Sequence, residues 1–167
     1  MRPQIASGTH ALSLCLFRLL FPLHELLYAS GAPYDTLNGV IGISGDGIGS
    51  LSEMGVTYAQ VELNREGMLD IPAIRAAMKP QTKVVAVQRS RGYSTRRSLT
   101  PEELAPLSQM LRLEFPQACL MVDNCYGEFV RLTEPTQHGA DLCVGSLIKN
   151  PGGGLAPTGG YIVGKRA

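Results

Sequence analysis

Apolar residues along this chain fall into short unbroken runs, set apart by stretches with helical spacing. Residues 25–29, 83–88, 118–123 and 142–149 carry such runs, with polar or ionisable residues chiefly at their ends. Each reads as a strand buried on both faces, because a segment apolar on every position needs a cover above and below. Residues 57–63 alternate instead, as a half-buried strand does. Two further short strands are predicted over residues 2–6 and 159–164, for seven in all.

Helices are predicted between most of these strands. Ser7-Gly8-Thr9 opens one that runs to about Leu20, with Ser and Thr as good N-cap residues. A helix start with Asp35 in its first turn covers residues 34–41. Asp70 followed by Pro72 opens a helix over 70–78, which Lys79-Pro80 ends. Thr100-Pro-Glu-Glu has the form of a capping box and opens a helix to about Glu114. The glycine-rich residues 42–55 read as a loop with room for one helical turn, and residues 126–140 as a loop with a short helix. Strands joined through helices should be parallel, whereas the strand over 159–164 follows a tight glycine turn and should be antiparallel. The fold class expected is α/β: three α/β/α layers around a mostly parallel sheet. The chain starts and stops on a strand, so it reads as the middle of something longer.

At 167 residues the chain suits one domain with a real core. Its net charge of +1 argues against a nucleic-acid partner, which would need clustered basic residues. The one cluster is Arg89, Arg91, Arg96 and Arg97, in a stretch that reads as a loop. Arg96 and Arg97 are expected to be solvated, and Arg89 or Arg91 to face an anion. The apolar residues 11–23 lack a signal-peptide pattern: polar residues precede them, Arg18 interrupts them and no cleavage site follows. They are also too few to span a bilayer, so a buried helix, no membrane contact and a cytoplasmic location are expected. Cys15, Cys119, Cys125 and Cys143 show no paired spacing, and free buried thiols are expected. His10, His24 and His138 have no metal-ligand spacing.

Two strands deliver ionisable residues to their C-terminal ends, Asp123 and Lys149, at the sheet edge where open α/β folds bind ligands. A desolvated lysine beside a carboxylate can form a Schiff base with a carbonyl compound. Gly8 and Thr9 lie at a helix start whose exposed amides suit an anion. Tyr34, just past a strand and a Gly-Ala-Pro turn, can stack on a planar ligand. Gly45-Asp-Gly-Ile-Gly-Ser50 lacks the strand and the downstream acidic residue of a dinucleotide fingerprint. Ser146-Leu-Ile-Lys149 matches the Ser-x-x-Lys of penicillin-binding proteins in form only, since its Ser-Asp-Asn and Lys-Thr-Gly partners do not occur. Gly8, Thr9, Tyr34, Asp123, Ser146 and Lys149 together fit pyridoxal 5′-phosphate: a phosphate site, a stacking ring, an acid for the pyridine nitrogen and an amine for the aldehyde. The bland alternative is a doubly wound sheet carrying a chance Asp and Lys.

Five stretches resemble the fold-type I pyridoxal-phosphate enzymes, nearest the methionine γ-lyase-like family also labelled aluminium resistance protein. They are residues 2–11, 31–37 (Gly-Ala-Pro-Tyr-Asp-Thr-Leu), 88–93, 122–129 (Val-Asp-Asn-Cys-Tyr-Gly-Glu-Phe) and 145–161, and the last two are the most specific. The resemblance implies Lys149 as the internal aldimine lysine and Asp123 as the partner of the pyridine nitrogen. It implies Ser146, Gly8 and Thr9 on the phosphate, Tyr34 on the ring, and Ser90 or Arg91 near the cofactor's 3′-oxygen. It implies a seven-stranded sheet ordered 1-7-6-5-4-2-3 with strand 7 antiparallel. Residues 1–167 would be part of the large cofactor domain, without the N-terminal segment and the C-terminal small domain that supplies the substrate-carboxylate arginine. The full-length protein would be a homodimer or homotetramer that eliminates a carbon–sulfur bond from a small-molecule sulfur amino acid. The alternatives are another reaction on the same cofactor (transaminase, aldolase or desulfurase) and a non-catalytic piece that keeps only the fold.

Overall fold

Strand β3 (Thr82–Gln88) shows how the sequence makes three layers. Successive side chains of a strand point to opposite faces, so Val84 and Ala86 enter one apolar cluster while Val85 and Val87 enter another. Helix α1 (Gly8–Leu19) covers the first face with Ala11, Leu12, Cys15 and Leu16. Helices α3 (Ile71–Ala77) and α4 (Ala105–Glu114) cover the second with Ile74, Leu107, Met110 and Leu111. The computed structural model describes residues 5–164, and all four helical and sheet assignments above lie within them.

Among the described residues the sheet has six strands in the order β2-β1-β3-β4-β5-β6. These are β1 (Glu25–Tyr28), β2 (Thr57–Gln60), β3, β4 (Cys119–Asp123), β5 (Leu142–Ser146) and β6 (Gly160–Gly164). All neighbours pair in parallel except β5 and β6, whose antiparallel register sets Ser146 opposite Gly160. The return between them is built of turns and the 3-10 turn Asn150–Gly152, with no crossover helix. The strand expected over residues 2–6 falls, for residues 2–4, outside the described residues. Ile5 and Ala6 carry no strand assignment, and their carbonyls accept from the Gly160 and Gly159 amides at 3.1 and 2.9 Å.

Several local expectations are corrected. The run 142–149 is a strand only to Ser146; Leu147–Lys149 turn away, and a 3-10 turn follows at Asn150–Gly152. Pro151 and the glycines after it cannot continue the β5–β6 ladder. Strand β2 stops at Gln60, and as the sheet edge it leaves Thr57 and Gln60 exposed. Residues 42–55 form successive turns. The helix expected at 34–41 is a 3-10 turn, Asp35–Leu37, running into the single turn α2 (Asn38–Ile41). A 3-10 turn, Glu102–Leu104, likewise precedes α4.

The capping signals are realised as hydrogen bonds. Asp70 accepts from the Ala73 amide at 3.0 Å, and the Thr100 amide donates to Glu103 Oε2 at 2.7 Å. No helix among the described residues is long and apolar enough to cross a membrane. Leu120 sits in the α3/α4-side cluster at 1% exposure. Chemical denaturation of the full-length protein is expected to show Leu120→Ala losing about 2–5 kcal/mol of stability and Asp70→Ala about 1 kcal/mol.

Candidate active site

All the parallel strands point their C-terminal ends to one edge, and the segments leaving them build a cavity of about 170 Å³. Gly8, Thr9, Tyr34, Asp123, Ser146 and Lys149 all line it. Asp123 is the last residue of β4 and Ser146 the last of β5. Parallel pairing of these two strands sets both at the same edge. Lys149 reaches the cavity from the turn three residues beyond β5, not from the strand itself.

The N-terminus of α1 abuts the end of β5. A side chain at Gly8 would put its Cβ 3.0 Å from Ser146 Cβ and 3.5 Å from Cys125 Sγ, so glycine lets the helix start and the strand end approach without strain. The Ser7 hydroxyl accepts from the His10 amide at 3.0 Å. The amides of Gly8 and Thr9, in the first helical turn, have no acceptor within the helix and remain for an outside one. The Thr9 and Thr36 hydroxyls lie 2.9 Å apart.

Asp123 is buried, and one carboxylate oxygen accepts from the Cys125 amide at 3.0 Å. Burial pushes its carboxyl above the ordinary value, while the hydrogen bonds from Cys125 and the Lys149 charge pull the other way. The Lys149 ammonium donates to the Tyr126 hydroxyl at 2.5 Å and lies 4.0 Å from that ring's centroid. Tyr34 is half-buried; its hydroxyl donates to Tyr93 at 3.1 Å and the two rings stack with centroids 5.8 Å apart.

Sequence reasoning missed Tyr93 and Tyr126. Both are aromatic residues in segments that leave a strand at the binding edge, which is the signal that marked Tyr34. Ser90 lines the cavity, whereas exposed Arg91 does not. The expectation of an anion-facing Arg89 is corrected. Its buried guanidinium donates to the Leu99 carbonyl at 3.1 Å and to Asn124 Oδ1, with Glu134 at 3.9 Å, so it braces the segment after β4. Arg97 is exposed as expected, whereas Arg96 is half-buried. Arg96 donates to the Gln88 and Ser90 carbonyls at 2.9 and 2.5 Å, and Arg97 pairs with Glu103. None of the four cysteines forms a disulfide, and Cys119 and Cys125 are half-buried rather than fully buried.

A family model described as methionine gamma-lyase matches residues 1–167. The chain belongs to the methionine gamma-lyase family. It is 50% identical over 99% of its length to the uncharacterized protein YnbB of Bacillus subtilis, and covers 39% of that protein. It is 31% identical over 98% of its length to an L-methionine gamma-lyase of Pseudomonas putida, covering 36% of it. Its fold superimposes with a TM-score of 0.93 on the structure of a candidate cystathionine beta-lyase involved in aluminum resistance from Listeria monocytogenes, at 52% identity over 98% of this chain and 40% of that one. A candidate O-acetylhomoserine (thiol)-lyase from Campylobacter jejuni, whose structure holds a pyridoxyl-lysine phosphate, shares the fold alone: TM-score 0.72, 20% identity, 97% of this chain and 36% of that one. The chain thus spans about two fifths of the length of the relatives it matches.

Tyr34 donates its proton to Tyr93, so ionising it breaks that bond. This is the first cause of its rise from 10.0 to about 12. Tyrosinate absorbance during alkaline titration is expected to show Tyr93→Phe bringing one ionisation back toward 10.0.

Proposed function

We propose that this chain is the cofactor-binding part of a pyridoxal 5′-phosphate-dependent carbon–sulfur lyase acting on a sulfur amino acid. The observation that carries the reading is that six residues, drawn from α1, the segment after β1, β4, β5 and the turn beyond it, line one cavity. The donor set fits the cofactor. The Gly8 and Thr9 amides and the Ser146 hydroxyl would take the phosphate. Asp123 would face the pyridine nitrogen, Tyr34 the ring, and Lys149 the aldehyde. The close contact between Gly8 and Ser146 also fits, because it brings amide and hydroxyl donors together. Membership of the methionine gamma-lyase family, and the lyase names of the relatives in Pseudomonas putida and Listeria monocytogenes, favour sulfur elimination over the other reactions this fold hosts.

Bound here, the cofactor supplies an electron sink for charge that develops at the α-carbon of an amino acid. The chain's own residues supply the rest. Lys149 presents an amine that can take the α-proton and return it further along the substrate. Asp123 must stay ionised to hold a proton on the facing nitrogen. The Cys125 amide favours that form against the burial that opposes it. The substrates and partners of the full-length protein, an oligomer in this reading, extend beyond these residues.

Borohydride treatment of the full-length protein loaded with pyridoxal 5′-phosphate is expected to leave a stable pyridoxyl mass on the peptide containing Lys149, and none in Lys149→Ala. Asp123→Asn should retain that label while turnover drops by on the order of 10²-fold. Net ammonia and a 2-oxo acid from methionine or cystathionine would support the lyase. Amino-group exchange without net ammonia would replace it with a transaminase.

A further inference from the structure

Tyr126 has no place in the binding scheme above, yet it makes the closest contact to the reacting nitrogen. Its hydroxyl accepts from Lys149 Nζ at 2.5 Å, and Nζ stands 4.0 Å from its ring centroid. The residue is also held in a conformation that tyrosine rarely adopts, with φ at +65°. Strain of this kind survives only where the surroundings impose it. Here they do. The Asn124 amide donates to the Val144 carbonyl at 2.8 Å and the Gly127 amide to the Asn124 carbonyl at 2.7 Å. Buried Arg89 then clamps the turn through Asn124 Oδ1 and, at 3.4 Å, the Gly127 carbonyl. A Cβ at Gly127 would stand 2.5 Å from Arg89 Nη1, so glycine there lets the clamp close.

The side chain so aimed joins two environments. Lys149 is half-buried in the cavity, whereas Tyr126 is 57% exposed. An amine must shed a proton before it adds to a carbonyl carbon, and the Tyr126 hydroxyl is the oxygen seated against the Lys149 nitrogen.

We propose that Tyr126 is a catalytic residue whose hydroxyl relays protons between the Lys149 amine and solvent water. The proposal rests on Lys149 being the lysine that receives the cofactor's aldehyde. In the relay an N–H bond of the Lys149 ammonium breaks as an O–H bond forms on the Tyr126 oxygen. The proton that Tyr126 already carries leaves to an adjoining water, which becomes hydronium. Tyr126 ends neutral and Lys149 ends as the free amine. Run backwards, the same chain returns a proton to Lys149. No oxidant or other reactant enters.

The test is the rate at which full-length protein stripped of cofactor takes up pyridoxal 5′-phosphate. Samples are quenched with borohydride at intervals, and the label on the Lys149 peptide is read by mass spectrometry. Tyr126→Phe keeps the ring under the ammonium and removes only the hydroxyl. It is expected to reach the same final labelling as the unaltered protein, but on the order of 10²-fold more slowly. The unaltered protein's rate should fall in deuterium oxide with a curved dependence on deuterium fraction, the mark of more than one proton in flight. That measurement decides the matter if the variant does not fold. Equal uptake rates in the two proteins, or an unaltered protein indifferent to deuterium oxide, would overturn the relay while leaving the lysine assignment standing. No label on Lys149 in either protein at any time would overturn the assignment, and the relay with it.

Discussion

The candidate site depends on one close approach: the N-terminus of α1 against the end of β5, at Gly8 and Ser146. A Cβ at Gly8 would stand 3.0 Å from Ser146 Cβ, closer than side chains normally pack. With glycine there, the first helical amides and a buried hydroxyl share one small volume. The field of the helix end adds to their attraction for an anion. A Cβ there would push the start of α1 and the end of β5 apart by a few tenths of an ångström, on the face where Leu12 and Leu16 pack with Val84, Ala86 and Val144. Packing on that face of the sheet and the ability to hold an anion are therefore set by the same contact.

A second constraint is electrostatic. Asp123 ends a strand whose residues are almost all buried, and burial favours its neutral form. The opposing influences are local: the Cys125 amide at 3.0 Å and the charge on Lys149. Both come from segments that leave the sheet at the same edge, so the turn geometry beyond β4 and β5 decides the state of the carboxyl. Arg89 shows the same economy from the structural side. Burial lowers its proton affinity while neighbouring acids, Glu134 first, raise it. Fixed by backbone carbonyls and Asn124, it shapes the turn that carries Cys125 and Tyr126.

Much of this arrangement was legible in the sequence because it rests on periodicity. The apolar runs within 83–88 and 118–123 require cover on both faces, which is what α1 on one side and α3 with α4 on the other provide. Strand ends in such a sheet share an edge, so the pattern sets Asp123 beside the end of the 142–149 run, which it reads as Lys149. The misses have different causes. Lys149 continues an apolar run, and apolarity alone does not show that Ser146 is the last residue to pair. Arg96 reads as solvated because it lies among glycine, serine and tyrosine, and Arg89 as anion-facing because it directly follows a strand. Their partners are backbone carbonyls, which no side-chain pattern announces. Tyr93 and Tyr126 escaped notice because their relation to Tyr34 and Lys149 is purely spatial, spanning 59 and 23 residues of chain.

The account's central claim is that six residues from separate elements constitute one pyridoxal 5′-phosphate site. A crystal structure of the full-length protein grown with that compound tests it most directly. The prediction is difference density with the phosphate on the Gly8 and Thr9 amides and the Ser146 hydroxyl, the ring nitrogen within hydrogen-bond distance of Asp123, and unbroken density to Lys149 Nζ. Cofactor density at any other place, or a cavity filled by solvent with Lys149 still resting on Tyr126, would contradict it.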